Sequence, residues 1–340
     1  MTRLLIRRLI SLVFVLFGMT VITFTLSHVV PADPAAAAAG LNASALEINT
    51  IRQRMGLDRP LYEQYALYME GLILRGDLGR SIASNVPVQE DLVRYLPASL
   101  ELALSAIVLY LPAGLILGVL SARAAGGVVD AATRGFAIVG LSVPVFWLGL
   151  IAQLVFYGLL GWLPATGRIS STFGPPQPVT GFFTIDALLA GNAAAFADAV
   201  RHLILPAVVL ALGNLTVITR MTRSSVLEVL SQDFVRTARA KGLHEQTVIA
   251  RHALKNALIP VVTLIGIQVG AIIEGAFITE QIFFWPGIGR LAVQAIPSGD
   301  YPVVQGVVLV SAFSYMLTTL IVDVLYAWFD PRISYETVSA

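Results

Sequence analysis

The 340 residues contain no cysteine, which excludes disulfides, thiol catalysis and thiolate metal sites. Lysine is nearly absent too: Lys241 and Lys255 are the only two. Neither stands in a G-x-x-x-x-G-K-[ST] frame, so the chain has no phosphate-cradling loop, and any ATP it uses must be bound elsewhere. His-Glu-x-x-His and Gly-x-Ser-x-Gly are missing, and no nucleophile–base set is legible, so no catalytic residue is assigned. The histidines are His28, His202, His244 and His252. His244 and His252 lie two turns apart, a spacing read as helix surface rather than as a metal pair, and no metal site is expected. Charged residues make up only 13% of the chain, about half the share of an ordinary globular domain, which carries about 25%.

What fills the chain instead is apolar: 56% of residues are hydrophobic. The expected fold class is an all-α polytopic membrane protein with six transmembrane helices. Residues 9–30 form an uncharged run of 22 after Arg3, Arg7 and Arg8. That is too long for a signal-peptide core and close to the ~20 residues a span needs, so it reads as an uncleaved first span. Five more runs follow at 99–122, 135–160, 203–219, 257–279 and 303–327. The organisation is then a first helix at 1–30, an extracytoplasmic helical segment at 31–98, a membrane domain at 99–327 that includes a cytoplasmic loop at 220–257, and a tail at 328–340. In the second segment, Ser44–Glu47 reads as a capping box and Gly56 as a helix stop. Residues 161–202, rich in proline and glycine, read as an external loop. Pro112, Pro144 and Pro206 predict kinks. Gly114/Gly118 and Gly266/Gly270 are small-xxx-small pairs that permit close helix contact.

An even number of spans places both termini on one side. That side collects 13 cations against six acids and the other nine against eleven, a net +7 against −2. By the positive-inside rule the termini of this multi-pass chain are expected to be cytoplasmic. Glu101, Glu274, Glu280 and Asp323 lie in or beside spans. Glu274, well inside the fifth, is a candidate for the translocation path together with Gln268, or else makes a structural hydrogen bond. Glu101 and Glu280 are expected to be solvated, and Asp323 to be ion-paired.

The longest charged cytoplasmic stretch is 220–257. Val226, Leu230, Phe234 and Ala238 recur every fourth residue and predict one buried helical stripe. Arg236, Arg239 and Lys241 occupy its last turns, Gly242 ends it in a left-handed conformation, and Leu243 is placed for the apolar contact after the stop. A second helix starts at Glu245 with Val248, Ile249, Ala253 and Leu254 as its stripe. Such a helix–glycine–helix elbow, presenting Ala238, Ala240 and Leu243 beside Arg239 and Lys241, is a shape for gripping a partner. The alternative is a loop lying on anionic lipid.

Residues 234–260, FVRTARAKGLHEQTVIARHALKNALIP, resemble the cytoplasmic "EAA" loop of binding-protein-dependent ABC importer permeases. The Arg-Thr-Ala-Arg-Ala-Lys-Gly form is similar to the dipeptide, oligopeptide and nickel branch, with Arg236 where the wider family usually has Glu and Lys255 where it usually has Pro. PADP at 31–34, GLDRPLYEQY at 56–65, GDLGRS at 76–81, SVPVFWLGL at 142–150, GWLPATG at 161–167, FFWPGIGRL at 283–291, DYPVVQG at 300–306 and DVLYAWFDPRISY at 323–335 look like that branch's B-type permease. The resemblance implies a type I importer fold, in which Arg236, Ala238, Arg239, Ala240, Lys241, Gly242 and Leu243 couple to an ATPase. It implies a homologous second permease, two ABC ATPases that bind ATP and Mg, an extracytoplasmic solute-binding protein and a peptide substrate, with no nucleic acid. Nickel and glutathione import are the alternatives within the family, and a secondary transporter is the alternative outside it.

Overall fold

The computed structural model describes residues 2–29, 34–39, 43–54 and 56–329, and all its regular elements are helices. The first, α1 (Thr2–Val29), precedes three short helices, α2 (Pro34–Ala39), α3 (Ala45–Arg54) and α4 (Leu61–Glu70). The capping box before α3 forms as expected: the Ser44 amide donates to Glu47 Oε2 at 2.7 Å, and the Glu47 amide returns to Ser44 Oγ at 3.3 Å. Gly56 ends the following turn with φ +67°. α4 is held on α1, with Tyr65 Oη 2.9 Å from Thr20 Oγ1 and its ring edge-on to Phe24.

Two helices outrun the membrane and form the spine. α5 (Val88–Arg123) has 36 residues, and α9 (Ala193–Leu230) has 38. At 1.5 Å per residue they are roughly 54 and 57 Å long, well beyond a ~30 Å hydrocarbon core. They lie together because Gly114 and Gly118 leave no room for a side chain. A Cβ on Gly118 would sit 2.5 Å from Thr222 Cβ and 2.8 Å from the Thr219 carbonyl. One on Gly114 would sit 2.8 Å from Ile218 Cγ2. The small-xxx-small pair thus seats one helix of this chain on another. Gly270 does the same for α12 (Leu254–Ile282), with Tyr315 of α14 (Tyr301–Phe329) 2.9 Å from where its Cβ would be.

The third run departs from expectation. It forms α6 (Val128–Ser142) and α7 (Val145–Ala152), the latter prolonged by a π-helical stretch over Gln153–Leu159, and the two halves meet at 103°. Val143, forced off helical geometry by Pro144 behind it, takes φ −91° and ψ 121°. Among the described residues five helices are long and apolar enough to span a bilayer, and the bent pair, counted as one span, makes six. Residues 161–202 also differ from an all-loop reading: α8 (Phe183–Leu189) interrupts them, and 193–202 already belong to α9. Asn192 starts that helix, its Oδ1 accepting the Ala195 amide at 3.0 Å.

Candidate coupling elbow and transport path

The elbow begins where α9 stops at Leu230, about two turns before the end of the predicted fourfold stripe at Ala238. Ser231 Oγ donates to the Glu228 carbonyl at 2.7 Å, the chain turns, and α10 (Asp233–Ala240) starts in a new phase. Val235 is consequently buried where Phe234 was expected, and Phe234 is exposed. Ala238 keeps its place inside. It joins Ala122, Val226, Val229, Val235, Val248, Ala253 and Ala257 in one apolar cluster at the root of the elbow. That cluster fixes α10 to the ends of α5 and α9 and to the rising limb, α11 (Glu245–Thr247), whose helix continues through a π-helical segment (Val248–Ala253) into α12.

The tip is exposed. Gly242 has φ +75° and donates to the Arg239 carbonyl at 2.9 Å, and nothing lies within 4 Å of where a Cβ would stand. Arg239 closes the elbow from outside, its Nε and Nη2 reaching the Glu245 carboxylate at 3.1 and 2.7 Å. Arg236 reaches Asp233 at 3.4 Å, and Ala240, Lys241 and Leu243 face outward. Of the expected tip residues, Ala238 is therefore an anchor. Leu243 is 39% exposed.

Gln268, one path candidate, donates to Asn214 Oδ1 at 2.8 Å across the α9–α12 contact, and both side chains are half-buried. Glu274 and Asp323 lie in α12 and α14, with side chains outside the described residues. Glu101 and Glu280 correct the sequence reading, being 2% and 0% exposed instead of solvated. Glu101 is paired with Arg168 and accepts from the Thr184 amide and hydroxyl at 2.9 and 2.6 Å. Glu280 accepts from Ser99 Oγ at 2.5 Å and from the Arg290 amide at 3.0 Å, and Ser99 Oγ in turn accepts the Ile288 amide at 2.9 Å. Trp285 Nε1 donates to the Ala98 carbonyl at 2.8 Å. The FFWPGIGRL stretch, which leads into α13 (Ile288–Ala295), is thereby folded back onto α5 at the end of the bundle away from the elbow. Gly287 lies against the Glu280 carboxylate and Ser99, and Gly289 against Phe277, too close for any side chain. The DYPVVQG and GDLGRS motifs meet in the same region: Asp300 accepts from Ser81 Oγ at 2.5 Å and from the Ile82 and Ala83 amides at 3.0 and 3.1 Å.

One functional pairing escaped the sequence reading. Asp130 and Arg223 entered it only as cytoplasmic charges, yet Asp130 is buried and accepts Arg223 Nε and Nη2 at 2.6 and 2.9 Å, Ser121 Oγ at 2.7 Å and the Gly126 amide at 3.0 Å. It pins the α5–α6 turn to α9 two turns above the elbow.

With this geometry in place, comparison with known proteins is decisive. Residues 114–335 match the profile of the binding-protein-dependent transport system inner membrane component, and residues 1–103 match the N-terminal profile of such membrane components. The chain belongs to this family. It is a multi-pass inner-membrane permease that acts with other components of an ABC transporter, and it is not an enzyme. Its relatives include the "Probable D,D-dipeptide transport system permease protein DdpB" of Escherichia coli, 47% identical over 95% of both chains. Another is the dipeptide transport system permease protein DppB of Alkalihalophilus pseudofirmus, 44% identical over 97% of this chain and 98% of that one. The DppB of Escherichia coli is 42% identical over 99% of this permease and all of its own length. Among solved structures, the inward-facing MetNI methionine ABC transporter aligns with 77% of this chain and 98% of its own, at 17% identity and a TM-score of 0.48.

Proposed function

We propose that this permease imports di- and oligopeptides by alternating access, forming half of the path beside a homologous second permease. The energy comes from ATP bound, with Mg, by two partner ATPases, and an extracytoplasmic solute-binding protein delivers the cargo. The observation that carries the reading is the exposed elbow 233–245, clamped by a buried apolar cluster to the roots of two spans. A push on such a tip is passed to α9 and α12 as a rigid-body movement, because the eight-residue cluster leaves the elbow little freedom of its own. Arg239, Lys241, Gly242 and Leu243 are the surface an ATPase groove would receive. Arg236 and Ala240 lie beside it, and Ala238 holds it from behind. The termini and the elbow are taken as cytoplasmic on charge balance, and the buried network around Glu101, Glu280 and Asp300 as the rigid outer end on which the binding protein docks.

The reading is tested by purifying the permease from its native membrane in mild detergent and identifying what accompanies it. Two ATPase subunits and a second permease are expected. Isolation as a stable homo-oligomer with no ATPase would overturn it in favour of a secondary transporter.

A further inference from the structure

Among α6, α9 and α12, on the elbow half of the bundle, lies a cavity of about 690 Å³. Arg134, Arg220 and Arg223 line it together with Leu141, Val217 and Leu264. Asp130 is the acid set against the three guanidinium groups: it holds Arg223 in a two-pronged pair and lies 3.6 Å from Arg134. Arg220 is exposed and has no hydrogen bond or ion pair among the described residues. Three cations and one acid leave two positive charges facing a largely apolar chamber.

What lies next to the chamber indicates its occupant. Asn214 precedes Val217 by three residues and Gln268 follows Leu264 by four, so the Asn214–Gln268 amide pair stands one helical turn deeper on the faces that wall the chamber. A lipid acyl chain would need unbroken apolar wall at that depth, whereas these amides continue the polar lining inward from the arginines. Net positive charge opposes a metal cation, and a planar guanidinium free of partners suits a carboxylate. We infer that the chamber is the elbow-side vestibule of the path and that Arg220, assisted by Arg134, receives the free C-terminal carboxylate of the cargo peptide. Arg223, committed to Asp130, positions the wall. This inference rests on the peptide-import reading above.

The absence of cysteine supplies the test. Ser224 lines the chamber and is exposed, so Ser224→Cys places a single thiol on this chain at the site. The complete transporter carrying it is reconstituted without nucleotide, and the rate of maleimide attachment to this chain is followed by mass. Dialanine should slow labelling while its C-terminal amide should not. In an Arg220→Gln background the dialanine concentration giving half protection should rise roughly tenfold, as loss of a charge-assisted contact requires, and Arg220→Lys should restore part of it. Equal effects of acid and amide, or protection unchanged in Arg220→Gln, would overturn the assignment. So would protection by anionic phospholipid but not by dialanine, which would make the chamber a lipid site. ATP-driven dialanine uptake is measured on the same preparation. Uptake without Arg220-dependent protection discards the vestibule alone, and no uptake of any peptide discards the import reading itself.

Discussion

At Gly242 the demand is purely conformational. The residue sits at φ +75° in open space, so a side chain meets no neighbour and costs only the left-handed penalty of about 1–2 kcal/mol, more when β-branched. Gly242→Val should distort the tip and reduce transport several-fold while the transporter still assembles. Gly242→Asn, whose side chain tolerates this geometry, should stay near wild type. Equal uptake by the two variants would show that tip geometry is irrelevant. At Glu280 the demand is for acceptors. Glu280→Ala strips the Ser99 hydroxyl and the Arg290 amide of their buried partner, at about 1–3 kcal/mol for each group left unpaired. Thermal unfolding in detergent should show a clearly larger loss for Glu280→Ala than for Glu280→Gln, which keeps an oxygen for Ser99; identical melting would assign the carboxylate no structural work. Neither Glu280 nor Glu101 could be recognised as buried from the sequence. Each lies at a span margin, where water is the default, and is covered by a partner from far along the chain: Ser99 for Glu280, with 283–290 folding back over it, and Arg168 and Thr184 for Glu101. Gly242 was legible because a left-handed helix stop is a local requirement.

Among the elements, prolines in or between apolar helices had different fates. Pro97, Pro112, Pro206 and Pro260 stay within continuous helices, and Pro144 marks a 103° break. Local chemistry announces a kink at each, but tertiary packing decides its size, so the sequence gives its position and not its angle. The elbow shows the same limit: the second limb's stripe held, while the first was rephased by a turn at Ser231 that overrides the fourfold periodicity. The start of α9 was readable in hindsight from Gly191-Asn192, a stop followed by a cap. Contact between α5 and α9 yields a direct test. Gly118→Ala forces a methyl into the Thr219 carbonyl and Thr222, and overpacking of this kind costs about 1–3 kcal/mol. The melting temperature should fall, and more than for Gly158→Ala, where a Cβ meets only the far end of Leu154 at 3.8 Å. Equal shifts would mean that the two long helices are not tightly seated. The turn before α8 carries a pH signature. Burial works to raise the Asp186 pKa, but hydrogen bonds from the Thr180 amide and hydroxyl and from the Gly181 and Val179 amides outweigh it and hold the carboxyl below its usual range. Its contribution is therefore complete above the ordinary carboxylate range and is lost as pH falls through the lowered value. Amide exchange at 179–181, corrected for its intrinsic pH dependence, should stay slow at neutral pH and quicken only in strong acid; loosening already at mild acidity would contradict the lowered pKa.

For the molecule as a whole, span count and family were carried by hydropathy and by short motifs, and the structure explains why those motifs belong together. GDLGRS, FFWPGIGRL and DYPVVQG are far apart in the chain, yet Leu78, Ile288 and Val303 from the three meet in one apolar cluster opposite the elbow. The two ends thus have different characters, a locked end opposite the elbow and an exposed cationic tip. This is the polarity expected of a permease driven from one side. The central claim, that ATP hydrolysis by partner subunits reaches the path through the elbow, is tested most directly by measuring two rates at once. The purified transporter, wild type or Gly242→Val, is placed in vesicles with its binding protein outside and ATP inside, and labelled dipeptide uptake is recorded alongside phosphate release. The account predicts that wild-type uptake requires ATP and that the variant hydrolyses ATP with little uptake. Uptake sustained by an ion gradient without ATP, or a variant whose uptake per ATP equals wild type, would contradict it.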